Sequence, residues 1–395
     1  MIRTGLDSLL LQPNALTGRR YGLLSNSAAR SRSLEPIHLA LIAAGADRPT
    51  VLFGPEHGFY GIEQDMVASQ DERDPWTDLP IVSLYGESAT SLVPAPARFS
   101  NLDLLVIDLQ DIGSRYYTYA ASALWAAKVA LEQDCQVWIL DRPNPLGGLV
   151  VEGNLPRPDL QSFVAAFRLP VRHGLTLGEL ARLEAKRSGW PDGMRIWPVE
   201  DWSRNQIWTD LGSPWVPPSP NLPTFEGALL YPGLCLVEGT ELSEGRGTTR
   251  PFQLVGAPGI DPLALSEEMQ ALDLPGVCFV PAYFRPQYQK HAGLVCGGVE
   301  IRISDAGSIS PYRCGVELIA AARRVAPENF AWRRQPYEFV SDSPAIDLLT
   351  GDSILRRCVS SRSDLAAWID SWIDDEREFQ SECEDIRLYQ EGLEP

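Results

Sequence analysis

The feature that most constrains the fold is an alternation of short apolar segments with longer helical patterns in the first half of the chain. Residues 102–110 are almost continuously hydrophobic, as a strand buried on both faces of a sheet should be. An alanine-rich helical pattern covers residues 119–133, and a further strand is predicted at 136–141. Similar patterns predict strands at 20–25, 50–53 and 81–84, and a helix at 34–46. This order predicts βαβ units and an α/β, Rossmann-like, mostly parallel sheet.

The second half of the chain has a different character. Residues 197–259 are crowded with Pro, Gly, Ser and Thr and show little helical period. Loops of this length in a compact domain are usually functional. Helical patterns return at 263–272, 311–326 and 364–379, with a strand at 297–303. Since single cores stop growing near ~250–300 residues, we predict a Rossmann-like domain over 1–225 and a smaller α+β domain over 226–395.

Composition narrows the choice of partners. The net charge of −18 argues against nucleic acid and anionic membranes, because both reward basic patches. No apolar run approaches the ~18 residues of a membrane-spanning helix, so no membrane insertion is expected. The first residues do not resemble a signal peptide, so we expect a cytoplasmic protein, or a secreted one if a leader is missing. Seven scattered cysteines without CxxC spacing argue against structural zinc.

Glu56 and His57 stand side by side in the segment VLFGPEHGFYG, residues 51–61. The segment begins as a buried strand and ends in a turn rich in glycine, with Pro55 stiffening its entry. Ionisable groups at the carboxyl end of a strand are where α/β proteins usually place ligand sites. An ordinary surface loop is the alternative interpretation of this segment taken alone.

Two neighbouring strand ends carry similar groups. The segment DLQDIGSRYYTY, residues 108–119, brings Asp111, Arg115 and Tyr117, and the segment DRPN brings Asp141, Arg142 and Asn144. Because parallel strands end on one edge of a sheet, we expect these groups to cluster with Glu56 and His57. Each Asp–Arg pair taken alone is equally compatible with a structural ion pair.

Several common sites are disfavoured by absent patterns. The first strand opens into Asn26-Ser-Ala-Ala-Arg30, without the glycines of a dinucleotide site, and no Walker lysine or Gly-x-Ser-x-Gly elbow occurs. We therefore expect no cofactor and no metal, and a nucleotide-dependent oxidoreductase is disfavoured. A carboxylate-rich cleft with aromatic, arginine and asparagine side chains suits glycosidic bond cleavage, which needs a proton donor and a second polar group.

Taken together, GPEHGF, DLQDIGSRYYTY, LDRPNPLGG, VEGN, RHGLTLGELA, PSPNLPT and EGTELSEGRGTTRPF resemble one family in order along nearly the whole chain. It is the exo-β-N-acetylmuramidase family of the NamZ type, glycoside hydrolase family 171. The resemblance implies an active site in the cleft between the two domains. It also implies release of terminal N-acetylmuramic acid from the non-reducing end of peptidoglycan fragments, so the substrate would be a muropeptide or amino-sugar oligosaccharide.

Matched by motif, Glu56 is the expected catalytic residue, Glu152 the second candidate and His57 a supporting group. The candidate substrate-binding residues are Asp111, Arg115, Tyr117, Asp141, Arg142, Asn144, His173, Ser219, Asn221, Glu238, Glu244 and Arg246. The loop after the first strand, Ser25-Asn-Ser-Ala-Ala, departs from the family pattern, which tends to have a Thr-Asn start followed by glycine. The sequence leaves open whether the reaction retains or inverts configuration, and whether the second group is the substrate's own acetamido oxygen. A non-catalytic muropeptide-binding protein is the alternative.

Muramic acid carries a lactyl carboxylate that glucosamine lacks. Holding that carboxylate in so acidic a protein requires a local cation, ideally an arginine. We expect at least one of Arg115, Arg142 and Arg246 to contact the lactyl group, although each has an acidic neighbour with which it can pair.

Overall fold

The structure is a computed structural model that describes residues 2–64, 67, 71–86 and 88–392. Its strands are β1 (Tyr21–Ser25), β2 (Val51–Gly54), β3 (Glu72–Arg73), β4 (Pro80–Ser83), β5 (Leu104–Asp108), β6 (Gln136–Leu140), β7 (Met194–Trp197), β8 (Leu254–Ala257), β9 (Val277–Phe284) and β10 (Cys296–Ile303). Its α-helices are α1 (Gly5–Leu10), α2 (Ile37–Ala43), α3 (Tyr119–Glu132), α4 (Leu177–Ser188), α5 (Phe225–Leu234), α6 (Pro262–Gln270), α7 (Pro311–Val325), α8 (Ala345–Thr350), α9 (Ile354–Cys358) and α10 (Arg362–Glu382).

The first sheet has the strand order β3-β4-β2-β1-β5-β6-β7. Every pairing is parallel except that of β3 with β4. Without the short edge strand β3, this is the doubly wound Rossmann order, whose ligand crevice lies beyond the carboxyl ends of the strands. β1 lies at the centre, and Leu23 aligns with Leu52 on one side and with Val106 on the other. The α/β prediction for the first half is confirmed.

A smaller antiparallel sheet, in the order β8-β10-β9, lies in the second half of the chain. Its central strand β10 is buried over most of its length, and the edge strand β9 is largely exposed. Helix α6 packs on this sheet and α7 packs against α6, so that a second and smaller α+β layer stands beside the Rossmann-like one. The predicted fold class is confirmed.

Helix α5 corrects the sequence analysis, which found little helical period between residues 197 and 259. Almost all of its side chains are buried, so it shows no apolar stripe, and it contains Pro232. Gly233 lies against helix α7, where an added Cβ would stand 1.8 Å from the carbonyl oxygen of Pro311. A glycine at the contact between two helices looks like a loop residue in sequence. Tertiary packing overrides the low helix propensity of this segment.

One hydrophobic cluster runs through both halves of the chain. It joins Leu24 and Ile107 of the first sheet to Leu230 of α5, Ile319 of α7 and Trp372 of α10. The walls of a cleft between the halves therefore rest on one continuous core. None of the helices in the described part of the chain has the length and apolar composition needed to span a membrane.

Candidate active site

A polar cleft lies where the carboxyl edge of the first sheet meets the second half of the chain. It contains about 470 Å³ of space, counting the part open to solvent, which is within the range of small-molecule sites. Its walls are formed by Glu56, His57, Tyr116, Tyr117, Thr118, Val164, Ser219, Asn221, Tyr231, Glu238, Arg246, Phe252, Tyr337 and Glu338. Both halves of the chain contribute residues to these walls.

The turn after β2 presents Glu56 and His57 to the cleft. Gly54 allows it, because a Cβ at this position would lie 2.4 Å from the backbone nitrogen of Phe59. His57 adopts a left-handed conformation with φ of 69°, and its Nδ1 lies 2.9 Å from the carbonyl oxygen of Glu63. A non-glycine residue held in this region carries strain, which tends to be found at functional sites.

Thr118 fixes the carboxylate of Glu56. Its hydroxyl donates a hydrogen bond of 2.6 Å to Oε2 of Glu56, and both residues are buried. Thr118 occupies the N-cap position of helix α3, yet its side chain makes no capping bond there. Since threonine at this position normally caps the helix, its hydroxyl is diverted to the carboxylate instead. Glu56 is thus held in one orientation on the cleft wall.

The wall contributed by the second half of the chain carries an arginine between two glutamates. Nη1 of Arg246 lies 3.0 Å from Glu238 and 3.5 Å from Glu244, and the guanidinium stacks over Phe252 with its carbon 5.1 Å from the ring centre. Lys290 donates to Glu244 at 3.0 Å. Although burial opposes it, Lys290 and Arg246 hold the pKa of Glu244 below its ordinary value. Glu244 thus remains charged and anchors both cations, while Arg246 faces the cleft.

Glu338 is a cleft carboxylate that the sequence analysis missed. Its Oε2 accepts a hydrogen bond of 3.3 Å from the hydroxyl of Tyr85. Glu338 and the adjacent Phe339 both have positive φ values, 46° and 67°. No apolar run or glycine turn precedes Glu338 in the sequence, so only the folded chain reveals it. Among the described residues, Glu56, Glu238 and Glu338 give the cleft three carboxylates.

Three of the other predicted residues also line the cleft. Tyr117 packs against Tyr119, with ring centres 4.6 Å apart, and Ser219 lies close by on the same wall. Asn221 donates a hydrogen bond of 2.9 Å to Gln64. Amide, hydroxyl and aromatic groups of this kind suit the hydroxyls and faces of a sugar.

Glu152 does not reach this cleft. Its carboxylate accepts backbone hydrogen bonds of 3.2 Å from Tyr312 and 2.9 Å from Arg313, in the first turn of α7. Burial raises the pKa of Glu152 to about 7. Negative groups at a helix N-terminus stabilise the helix, so the geometry gives Glu152 a capping role.

Arg115 is likewise occupied elsewhere. Its guanidinium donates to four backbone carbonyls, those of Asn154, Leu169, Leu349 and Thr350, at 2.7 to 2.9 Å. The first two belong to the first half of the chain and the last two to the second. Arg115 therefore joins the two halves instead of facing the cleft.

The third strand end, residues 141–144, is also absorbed into the structure. Arg142 forms a buried bidentate ion pair with Asp108 at 2.5 and 2.9 Å. Asp141 accepts hydrogen bonds from Thr176 and from the backbone of α4, and burial raises its pKa to about 6. Asn144 bonds backbone groups of its own turn and of Leu175. The expectation that all three strand ends converge on one cleft is therefore wrong.

Asp111 and His173 form a separate buried pair, with 3.9 Å between Nε2 of His173 and Oδ2 of Asp111. Burial lowers the pKa of His173 to about 3 and raises that of Asp111 to about 7. Nδ1 of His173 accepts the backbone N–H of Leu175, so the neutral ring carries its proton toward Asp111. Both residues lie outside the walls of the cleft.

Within the described residues, no group of three or more His, Cys, Asp or Glu side chains is arranged to hold a metal ion. The described residues of this cleft offer carboxylates, an imidazole, tyrosine hydroxyls and the guanidinium of Arg246. Such groups transfer protons and stabilise positive charge in a reacting sugar.

Two family profiles match the two parts of the chain that form the walls of the cleft. The family profile described as exo-beta-N-acetylmuramidase NamZ, N-terminal, matches residues 21–226, and its C-terminal counterpart matches residues 229–389. The chain belongs to the NamZ family. Glu56 lies in the N-terminal NamZ region and Arg246 in the C-terminal one.

Individual proteins agree with membership of the NamZ family. Peptidoglycan beta-N-acetylmuramidase NamZ of Bacillus subtilis (strain 168) is 37% identical over 375 residues, which cover 94% of this chain and 87% of that protein. Two crystal structures of DUF1343 family proteins from Bacteroides fragilis NCTC 9343 share the fold. One has a TM-score of 0.87 at 29% identity over 98% of this chain and 99% of its own. The other has a TM-score of 0.76 at 25% identity over 99% and 100%.

Proposed function

We propose that this protein is a glycoside hydrolase of peptidoglycan that releases terminal N-acetylmuramic acid from the non-reducing end of cell-wall fragments. The observation that carries the proposal is the 37% identity to a peptidoglycan β-N-acetylmuramidase over 94% of the chain. The cleft supports it, because Glu56 is held there by Thr118 and the same cleft is lined by the further carboxylates Glu238 and Glu338.

In the proposed mechanism, Glu56 is the general acid that protonates the oxygen of the departing sugar. Protonation is needed because a sugar alkoxide is a poor leaving group, and a positioned carboxylic acid contributes ~10²–10⁴-fold. Thr118 keeps the carboxyl group in place, and His57 stiffens the turn through its bond to Glu63. Positive charge then develops on the sugar ring, beside Glu238 and Glu338 or the acetamido oxygen of the substrate.

Arg246 is the proposed partner of the lactyl carboxylate. It is the candidate among the three arginines that lines the cleft. Tyr117, Ser219 and Asn221 are proposed to bind the hydroxyl and acetamido groups of the same sugar. The domain division at residue 225 and the cytoplasmic location also stand as proposals, and fractionation of the source cells tests the location.

The test is the Glu56→Gln variant. We expect it to keep the fold and to lose ~10²–10⁴ in turnover on the natural disaccharide. The loss should be smaller on a 4-nitrophenyl N-acetylmuramide, since that leaving group departs without full protonation. Rates are measured by release of N-acetylmuramic acid and of nitrophenolate, with circular dichroism as the check on folding.

Glu152→Gln is the matched control, because it makes the same change in a buried carboxylate outside the cleft. It should retain activity near that of the wild type at pH 6. A Glu56→Gln enzyme within a few-fold of wild type on the disaccharide would remove Glu56 from the mechanism. A wild-type protein that binds N-acetylmuramic acid without cleaving the disaccharide would favour the non-catalytic alternative.

A further inference from the structure

The hairpin that joins β9 to β10 leans onto the rim of the cleft. The backbone nitrogen of Gln287 donates a hydrogen bond of 2.8 Å to the carbonyl oxygen of Gly247, the residue after Arg246. A Cβ on Gly247 would stand 2.3 Å from the carbonyl oxygen of Tyr288, so the two segments touch through their backbones. The hairpin is thus fixed against the wall that carries Arg246.

Two further side chains secure the hairpin. Lys290 donates to the carbonyls of Val237 and Leu242 at 3.0 and 2.9 Å, and to Glu244 at 3.0 Å. Nε2 of His291 lies 2.7 Å from the carbonyl oxygen of Glu241. Such anchoring fixes the loop before a ligand arrives, which lowers the entropic cost of binding.

Tyr288 is the side chain that this anchored hairpin presents at the rim. Its hydroxyl lies 3.5 Å from Oδ1 of Asn221, and the residue is 44% exposed, whereas Asn221 is 4% exposed. Asn221 therefore belongs to the buried wall of the cleft, and Tyr288 lies next to it at the surface. A half-exposed aromatic ring beside the cleft offers an apolar face on which a ligand can pack.

From this arrangement we infer that Tyr288 is the platform for the sugar on the leaving-group side of the scissile bond. The inference rests on the proposed function. In an exo-acting enzyme the terminal sugar fills the cleft and the next sugar emerges at its mouth, where Tyr288 stands. The apolar face of a pyranose ring packs on an aromatic ring, and the polar edge of the sugar stays in water.

The decisive comparison uses two substrates that differ beyond the scissile bond. The disaccharide of N-acetylmuramic acid and N-acetylglucosamine occupies the platform, and the glycosyl fluoride of N-acetylmuramic acid does not. For Tyr288→Ala we expect kcat/KM on the disaccharide to fall on the order of ten-fold, the value of burying part of an aromatic face. On the fluoride it should stay within two-fold or so of wild type, because the catalytic groups are untouched.

Two further variants separate stacking from other roles. Tyr288→Phe keeps the ring and should behave as wild type on both substrates. Tyr283→Ala removes another exposed tyrosine, 74% exposed on β9, and should change neither rate. Equal losses on both substrates, an unchanged Tyr288→Ala, or a Tyr288→Phe variant as impaired as Tyr288→Ala would each overturn the platform.

Equilibrium binding measurements test the Tyr288 platform independently of the proposed hydrolase activity. Calorimetry in the Glu56→Gln background needs no turnover. There Tyr288→Ala should weaken binding of the disaccharide about ten-fold and leave binding of free N-acetylmuramic acid unchanged. A protein that hydrolyses neither substrate yet shows this binding difference would refute the hydrolase and retain the platform. Equal weakening of both ligands, or of neither, would refute the platform whatever the catalytic result.

Discussion

Arg246 differs from the other two candidate arginines in its surroundings. It lines the cleft beside Glu238, while Arg115 donates to backbone carbonyls and Arg142 is paired with Asp108. A guanidinium that is fixed by Glu238 and by Phe252 is held in one orientation on the cleft wall. These contacts favour Arg246 as the group that distinguishes muramic acid from glucosamine.

We therefore expect Arg246→Lys to reduce the preference for the 4-nitrophenyl N-acetylmuramide over its N-acetylglucosamine counterpart. A charged hydrogen bond contributes ~1.5–3 kcal/mol, so the ratio of the two kcat/KM values should fall by about ten-fold or more. Arg250→Lys is the control, since Arg250 lies four residues on, is 40% exposed and pairs with Glu300. An unchanged ratio for Arg246→Lys would mean that selectivity comes from shape or from other residues.

The same residues show how much of the site could be predicted. The placement of Glu56 and His57 could be predicted because a strand followed by a glycine turn is a local pattern. The role of Arg115 could not be predicted, because its four hydrogen-bond acceptors come from segments up to 235 residues away. Glu338 was missed for the same reason, since Tyr85, its partner, is 253 residues distant in sequence. The sequence shows which side chains are ionisable, but the fold determines which groups they contact.

Helix α7 shows how one element depends on a residue outside it. Pro311 starts the helix, and no side chain at its own N-cap position makes a capping bond. Glu152 supplies the acceptors instead, from the loop before α4. The boundaries predicted for α7, 311–326, were close to those observed because its apolar stripe is regular, whereas α5 was missed because it has none.

The buried carboxyl group of Glu152 at the N-terminus of α7 is expected to make the stability of the protein depend on pH. Burial raises the pKa of Glu152 from its ordinary value of 4.5 to about 7 in the folded protein. A raised carboxyl pKa contributes stability that is present below the unfolded value and is lost as the pH rises through about 7. Between pH 5 and pH 8 the wild type should therefore lose on the order of 2 kcal/mol relative to Glu152→Gln, which has no such charge.

Urea unfolding of both proteins at a series of pH values measures this difference. At low pH the two proteins should have similar free energies of unfolding. At high pH the wild type should be less stable than Glu152→Gln. Parallel curves across the whole range would show that Glu152 has the same pKa in the folded protein as in the unfolded chain, so that its hydrogen bonds to the helix fully offset the effect of burial.

At the scale of the whole molecule, the two halves are joined through buried polar contacts as well as through the shared core. Arg115 bridges them with four hydrogen bonds. The carboxylate of Glu376 on α10 accepts the backbone N–H of Gly153 at 2.9 Å. Near the end of the chain, Tyr389 returns to the first half, where its hydroxyl bonds to Asp141 and to the backbone of Val199. The walls of the cleft therefore depend on each other for their position.

We expect the protein to unfold in one cooperative transition, and Arg115→Met to lower its stability without dividing that transition. Removing the guanidinium leaves four buried carbonyls without this donor, and each lost partner costs ~1–3 kcal/mol before relaxation, so a loss of at least ~3 kcal/mol is expected.

Arg168→Met is the matched control, because Arg168 bridges the halves through an ion pair with Glu378, and the two side chains are 42% and 58% exposed. Exposed pairs contribute only ~0–1 kcal/mol, so this variant should unfold almost as the wild type does. Urea titrations followed by tryptophan fluorescence and by far-ultraviolet circular dichroism give the test. Two separated transitions would show that the halves are stabilised independently. Equal midpoints for Arg115→Met and Arg168→Met would show that the buried hydrogen bonds of Arg115 contribute no more than an exposed ion pair.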